Sequence, residues 1–147
     1  MSHPPMRADR TADEQLELTT PAGPTALAPI RRAVEAWLAD QRVDRDEGWQ
    51  IVAACHEACA NSSEHAYPPG EPGSIEVEAR REGPSLIVVV RDYGRWRPPR
   101  GHDRGGRGFT LMNHFMDSVD VERSEQGTTV RMERQLGRGD GLEKDDD

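Results

Sequence analysis

The sequence predicts an α+β fold, a two-layer α/β sandwich in which helices cover one face of a mixed, largely antiparallel sheet. Two observations predict it: some segments alternate apolar and polar residues, and others repeat apolar residues every three or four positions. In chain order they predict strand, helix, helix, strand, strand, helix, strand, strand. Helices packed against one face of such a sheet bury both apolar surfaces economically.

The first half of the chain predicts one strand and two helices. Residues 16–19 alternate and favour a short strand, which Pro21 interrupts. The second helix can begin at Asp44 or Asp46 as its N-terminal cap and runs to about His65. The first helix is predicted from five apolar residues at helical spacing, namely Leu27, Ile30, Val34, Trp37 and Leu38.

The second half predicts four strands and one helix. Residues 75–80 alternate, and the short link 82–84 leads into the apolar run 86–91, which favours an antiparallel hairpin. Residues 109–116 favour a helix that follows a glycine-rich loop. Two further alternating segments, 119–121 and 129–132, flank a loop that contains Gly127.

Length and charge indicate one domain with polar ends. A chain of 147 residues is typical of a single domain, expected here over 15–136. The segments 1–14 and 137–147 carry too few apolar residues to compensate their ordering entropy, so we expect both to be disordered. The net charge of −8 argues against direct, nonspecific nucleic-acid binding, because such a surface repels phosphates.

The sequence predicts no membrane segment and no disulfide framework. Its longest aliphatic run, 86–90, is far shorter than the roughly 20 residues that span a bilayer, and residues 1–13 contain no apolar core of a signal peptide. Cys55 and Cys59 lie one helical turn apart on the apolar side of the predicted second helix, which favours packing over metal binding. A cytoplasmic location is the simplest expectation.

A polar stripe follows the second predicted helix. Glu57, Asn61 and His65 are each four residues apart, so their side chains share one helical face. Such a stripe is either an ordinary solvated face or a functional one. Asn61 is a mediocre helix former in the middle of a helix, which favours a functional role somewhat.

Three further motifs each allow a structural or a functional interpretation. Asp92-Tyr93-Gly94 is either an ordinary turn or a carboxylate that accepts a hydrogen bond from an exocyclic amine, with glycine allowing a flat ring to approach. Gly127-Thr128-Thr129 offers hydroxyls to a ligand or simply opens a strand. Gly105-Gly106-Arg107-Gly108, beside several arginines, is a solvated loop or a phosphate-binding site at a helix N-terminus.

Taken together and in order, these motifs resemble the GHKL (Bergerat-fold) ATPases, and within them the anti-sigma-factor serine/threonine-protein kinases. The resemblance covers residues 16–136 and rests on the helical stripe, the Asp-x-Gly turn, the glycine cluster with the following residues 109–112, and the Gly-Thr-Thr segment. It implies the Bergerat ATP-binding fold and the cofactors ATP and Mg²⁺.

The resemblance also implies a role for each motif. Asn61 would bind Mg²⁺, and His65 would belong to the same nucleotide-binding set. Asp92 would recognise the adenine amine, with Gly94 beneath the ring and Thr128 close by. The phosphates would lie against three residues of the glycine cluster, Gly106, Arg107 and Gly108.

The catalytic residues come from the same resemblance. Glu57 would be the general base that accepts the proton of a serine hydroxyl. An arginine of the first helix, Arg31 or Arg32, would contact the protein substrate and help at the γ-phosphate. The implied partners are a sigma factor, a STAS-domain anti-sigma antagonist and a second copy of the chain.

One departure from the family's pattern leaves the type of activity open. Ten residues separate Gly94 from Gly105, in a segment that forms the ATP lid and is often longer in the family, and Pro98 and Pro99 stiffen it. The intact Glu57 favours a kinase, whereas the short segment favours a module that binds ATP and regulates a partner without phosphorylating it. Hydrolysis of ATP by water would use the same residues.

Overall fold

The computed structural model describes residues 14–68, 70–95 and 106–137, and for residues 106–109 it describes the backbone alone. The segments predicted as disordered ends lie outside the described residues, apart from Glu14 and Gly137. The elements are β1 (Gln15–Pro21), α1 (Leu27–Asp40), α2 (Arg45–His65), β2 (Ser74–Glu82), β3 (Ser85–Asp92), α3 (Gly106–Phe115), β4 (Ser118–Ser124) and β5 (Gly127–Gln135).

The five strands form one sheet in the order β1-β2-β3-β5-β4. The predicted α+β class and the two hairpins, β2–β3 and β4–β5, are confirmed. All four described pairings are antiparallel, so the described sheet contains none of the parallel pairing that a mixed sheet would have. The reason is that β5, the second strand of its hairpin, is the one that pairs with β3, and it runs opposite to it.

The helices and one face of the sheet enclose the apolar core. On α1, the residues predicted from helical spacing are buried or packed against this core. On the other face of the sheet charged residues predominate, and Ile87 and Val89 are nevertheless buried there. Long charged side chains on neighbouring strands can cover such residues with their aliphatic stems.

Helix α2 begins after Asp44, which resolves the choice between two predicted caps. The Asp44 carboxylate accepts hydrogen bonds from the amides of Asp46 and Glu47, at 3.1 and 3.4 Å. These amides have no partner within the helix, so the cap stabilises its first turn. On the core side of α2, a hydrogen bond with the Cys55 thiol, followed by burial, raises the pKa of the Cys59 thiol, which is consistent with two inert packing residues.

Helix α3 begins at Gly106, earlier than the predicted start at Phe109. Gly106 and Gly108 therefore belong to the first helical turn and not to a preceding loop, which corrects the sequence-based boundary. The first amides of a helix lack intrahelical partners, so the amides of this turn are available to a ligand or to solvent. Met112 and Met116 anchor this part of the chain in the core.

A buried ion pair joins the N-terminal end of α2 to α3 and β5. Glu47 and Arg134 are 6% and 7% exposed, and the Glu47 carboxylate lies 3.1 Å from a guanidinium nitrogen of Arg134. Arg134 also donates a 2.7 Å hydrogen bond to the carbonyl of Phe115, at the end of α3. The amide of Gly137 donates to Glu47 as well, at 3.0 Å.

Within the three described ranges, the model contains no helix long and apolar enough to cross a membrane.

Candidate functional site

Asp92 lies where an apolar stripe of β3 ends. Leu86, Val88 and Val90 precede it at every second position and face the core, so the alternation directs Asp92 to the same face. The sheet register places Asp92 opposite Ile75 on β2 and opposite Thr128 on β5. The predicted Asp-x-Gly and Gly-Thr-Thr motifs therefore lie side by side, although 36 residues separate Asp92 from Thr128.

The Asp92 carboxylate is 1% exposed, and its described hydrogen bonds come from a hydroxyl and two backbone amides. The Ser62 hydroxyl, on α2, donates to Oδ2 at 2.6 Å. The amides of Gly94 and Thr128 donate to Oδ1 at 3.2 and 3.3 Å. These bonds come from α2, from the turn after β3 and from β5, so the carboxylate links three parts of the fold.

Two glycines allow the backbone to approach closely around Asp92. A Cβ atom at Gly94 would overlap the carbonyl oxygen of Ala66, at the end of α2. Gly127 has a φ of 142°, and a Cβ atom there would overlap the carbonyl oxygen of Asp92. Both positions require glycine for packing in this structure, in addition to any contact with a flat ligand.

Tyr67 fastens the segment after β3 to the start of β2. Its hydroxyl donates to the carbonyl of Ser74 and accepts a hydrogen bond from the amide of Tyr93, each at 2.8 Å. The amide of Arg95 bonds to the carbonyl of Ala66 at 2.9 Å. Half-exposed Tyr93 donates to Glu76, and this hydrogen bond is the main reason that the pKa of Tyr93 is raised.

The polar stripe of α2 borders this region. Glu57 and Asn61 are partly buried, and among the described residues neither side chain has a hydrogen-bond partner. His65 is half exposed, and its ring lies 3.7 Å from the carboxylate of Glu64. Asn61 immediately precedes Ser62, so the Ser62–Asp92 bond fixes the backbone of Asn61 relative to Asp92.

A second serine fixes the same turn of α2 to the segment between β1 and α1. The Ser63 hydroxyl donates to the carbonyl of Gly23 at 3.2 Å and accepts a hydrogen bond from its amide at 3.3 Å. Arg31 and Arg32 are exposed on α1, and no hydrogen bond or ion pair with Glu57 is found for either within the described ranges.

The predicted phosphate-binding residues are only partly described. Gly106 and Gly108 lie in the first turn of α3, which packs against α2. The side chain of Arg107 lies outside the described residues, as do Gly105 and the segment 96–104 with Pro98 and Pro99. Thr128 contacts Asp92 through its backbone amide.

The described side chains of the candidate site could hold a cation only together with an anionic ligand. Within the described part of the chain, no group of three or more His, Cys, Asp or Glu side chains could hold a metal ion. Asn61 offers a neutral carboxamide oxygen. Mg²⁺ commonly keeps several waters and binds one or two protein ligands together with phosphate oxygens, so a nucleotide would have to supply the remaining ligands.

Comparison with known proteins decides the family. Residues 20–134 match the family described as the histidine kinase-like ATPase domain. The chain belongs to this family. Within this GHKL-type family it is similar to anti-sigma F factors: that of Clostridium botulinum (strain Eklund 17B / Type B) is 32% identical over 121 residues, covering 72% of this chain and 83% of the relative. That of Bacillus subtilis (strain 168) is 29% identical over 125 residues, covering 76% and 86%.

Solved structures agree with this assignment. The RsbU and RsbW domains of Rv1364c from Mycobacterium tuberculosis match with a TM-score of 0.70 and 25% identity, over 84% of this chain and 33% of that one. The blue-light activated histidine kinase EL346 of Erythrobacter litoralis shares the fold, with a TM-score of 0.58 and 21% identity over 68% of this chain and 34% of that one. The chain thus spans about a third of each structure.

The sequence analysis missed Ser62, which holds Asp92. A signal was present, because Ser62 follows Cys55, Ala58 and Cys59 on the apolar side of α2, where a hydroxyl would be buried. Buried polar groups are nearly always hydrogen-bonded, so a partner was to be expected. The sequence could not show that this partner is Asp92, because 30 residues separate Ser62 from Asp92.

Proposed function

We propose that this GHKL-type domain is an ATP- and Mg²⁺-dependent anti-sigma-factor serine kinase that acts in the cytoplasm. It binds a sigma factor, and it phosphorylates a serine of a STAS-domain anti-sigma antagonist. The observation that carries the proposal is the buried Asp92 carboxylate, held by Ser62 at 2.6 Å, together with the partly buried side chains of Glu57 and Asn61, for which the described part of the chain provides no hydrogen-bond partner. Membership of the family and the similarity to anti-sigma F factors support it.

Asp92 recognises the base in this proposal. An ionised carboxylate only accepts hydrogen bonds, and its two oxygens offer about four acceptor positions. The exocyclic amine of adenine is a donor, whereas the carbonyl at the same position of guanine or hypoxanthine is an acceptor that a carboxylate repels. A carboxylate held at this location by Ser62, Gly94 and Thr128 therefore discriminates among purines.

Asn61 and the first turn of α3 contact the phosphates. When bound, Mg²⁺ would neutralise phosphate charge, and the carboxamide oxygen of Asn61 would be its protein ligand. The amides of Gly106, Arg107 and Gly108 lie at the positive end of the α3 dipole, where anions are favoured. His65 belongs to the same end of α2.

Glu57 is the general base for phosphoryl transfer. Its carboxylate accepts the proton of the substrate serine as the serine oxygen bonds to the γ-phosphorus, and the bond from that phosphorus to the bridging oxygen breaks, releasing ADP. Arg31 or the neighbouring Arg32 contacts the protein substrate and stabilises charge on the transferring group. Positioning of the two reactants contributes more to the rate than the base does.

The similarity to relatives named anti-sigma F factor supports a sigma factor as a partner. We propose that the chain forms a homodimer, that a sigma factor binds it, and that the antagonist presents its serine to Glu57. The net charge of −8 supports protein partners over direct contact with nucleic acid.

Transfer of labelled phosphate tests the kinase. The purified chain is incubated with γ-labelled ATP, Mg²⁺ and each STAS-domain protein of the host in turn. Wild type is expected to label one of them, and Glu57→Gln should lower the initial rate by about 100-fold or more with ATP affinity nearly unchanged, because a base contributes roughly that much. Glu64→Gln, the same change at an exposed position of α2, should behave as wild type.

Two outcomes would contradict parts of this proposal. Equal labelling by wild type and Glu57→Gln would remove Glu57 from the role of base. Tight ATP binding without labelling of any STAS-domain protein would favour the second candidate, a module that binds ATP and sequesters its partner without phosphoryl transfer. The observation that favours this candidate is the short sequence of ten residues between Gly94 and Gly105.

A further inference from the structure

Ser62 occupies a buried position that connects the polar end of α2 to the Asp92 carboxylate. We propose that Ser62 is a positioning residue that sets the base specificity of the nucleotide site. It holds the Asp92 carboxylate in the orientation that accepts a hydrogen bond from a purine amine. The inference rests on the proposed function, since it presumes that an adenine nucleotide binds at Asp92.

The Ser62–Asp92 hydrogen bond is short and shielded from water. The two residues are 2% and 1% exposed, and the oxygens are 2.6 Å apart. This distance is typical of a hydroxyl that donates to an ionised acceptor. Serine within a helix often bonds to a carbonyl of the preceding turn, but here Ser62 donates to the neighbouring strand.

The three described donors to Asp92 bind different oxygens of its carboxylate. Oδ1 is held by two backbone amides, those of Gly94 and Thr128, so these bonds depend on the path of the backbone and not on a side chain. Oδ2 is held by the Ser62 side chain. The terminal torsion of aspartate is broad, so loss of the Ser62 bond at Oδ2 leaves the orientation of the carboxylate plane less restricted. A turned carboxylate points its lone pairs away from the amine of a bound base.

The same turn of α2 supplies a matched control. Ser63 also forms a side-chain hydrogen bond to another part of the fold, but its partner is the backbone of Gly23. Substitution of either serine by alanine removes one hydroxyl from adjacent helical positions. Only the substitution at Ser62 removes a bond to Asp92, so the two variants separate a specific effect on base recognition from a general effect on the helix.

Paired calorimetric titrations of the full chain test the inference. Mg²⁺ with ATP is compared with Mg²⁺ with inosine triphosphate, which carries a carbonyl where ATP carries the amine. Wild type is expected to prefer ATP. Ser62→Ala should weaken the binding of ATP about five- to tenfold, which corresponds to about 1–1.4 kcal/mol, the contribution of one ordinary hydrogen bond. The affinity for inosine triphosphate should change by less than about twofold. Ser62→Cys, whose thiol is a weaker donor, should have an ATP affinity between those of wild type and Ser62→Ala. Ser63→Ala should keep the wild-type ratio of the affinities for ATP and inosine triphosphate.

Three results would overturn the inference. They are an equal loss for both nucleotides in Ser62→Ala, an unchanged affinity for ATP, or the same loss of selectivity in Ser63→Ala. If wild type prefers ATP and Ser62→Ala keeps that preference, the inference about Ser62 fails and the proposed function stands. If wild type binds neither nucleotide, both fail together.

Discussion

The two ends of α2 each adjoin a buried acidic side chain, and the two carboxylates are satisfied in different ways. At the N-terminal end, Glu47 forms an ion pair with Arg134 at 3.1 Å. At the C-terminal end, Asp92 accepts hydrogen bonds from neutral groups, the Ser62 hydroxyl and the amides of Gly94 and Thr128. Both carboxylates belong to residues less than 10% exposed, so burial alone does not distinguish them.

We interpret Glu47 as a structural charge, whereas we propose Asp92 as a charge that recognises a ligand. The Arg134 guanidinium neutralises Glu47 and also donates a hydrogen bond to the carbonyl of Phe115. This end therefore ties α2, α3 and β5 together. The three described donors to the Asp92 carboxylate are neutral, and a neutral donor holds a carboxylate without supplying an opposite charge. The first arrangement joins elements of the fold, and the second is the one that we propose for recognition of a base.

Removal of one member of the ion pair is expected to give the largest loss of stability. Glu47→Ala leaves the Arg134 guanidinium buried without its carboxylate, which typically costs about 3–5 kcal/mol in the free energy of unfolding. Chemical denaturation followed by circular dichroism measures it. Glu35→Ala, at an exposed position of α1, is the control and should change the free energy by less than about 0.5 kcal/mol. A similar small loss for both variants would show that the pair does not fasten α2.

Loss of the Tyr67 hydroxyl is expected to have a smaller effect, at the opposite end of α2. Tyr67→Phe removes one donated and one accepted hydrogen bond, leaving the amide of Tyr93 and the carbonyl of Ser74 without this partner. We expect a loss of about 1–2 kcal/mol in the same denaturation experiment.

Tyr93→Phe is the matched control for Tyr67→Phe, since it removes a hydroxyl at an exposed position. We expect a loss below about 0.5 kcal/mol at neutral pH. The hydrogen bond to Glu76 raises the pKa of Tyr93, so it stabilises the folded protein fully at pH values below the pKa of this tyrosine in the unfolded chain. This stabilisation is lost as the pH rises through the pKa of Tyr93 in the folded protein. Equal losses for the two tyrosines would contradict the view that Tyr67 fastens the segment after β3.

Much of the fold could be predicted from the sequence because local patterns determine it. Alternation at 75–80 and helical spacing between Leu27 and Leu38 identified the strands and helices. The pairing of β5 rather than β4 with β3 could not be predicted, because both strands are short and alternate in the same way. The earlier start of α3 was missed because glycines usually mark a loop.

The polar contacts required the tertiary structure, although their positions left a trace in the sequence. Glu47 and Ser62 lie on the apolar side of α2, while Asp92 and Arg134 continue the apolar stripes of β3 and β5. Each is a polar residue where the pattern demands an apolar one. The pattern therefore indicates that partners exist, but the pairs are 87 and 30 residues apart in the chain, and only folding reveals which residues meet.

Calorimetric titration of wild type and Asp92→Asn with Mg²⁺ and ATP tests the central claim most directly. Asparagine preserves the shape, and the Ser62 hydroxyl can rotate to accept from its amide, so the variant should fold. Asp120→Asn, at an exposed position of β4, is the control. We predict that wild type and the control bind ATP alike and that Asp92→Asn binds at least about 100-fold more weakly, a difference of about 2.7 kcal/mol. Equal affinity in all three proteins, or no binding by wild type, would contradict the account.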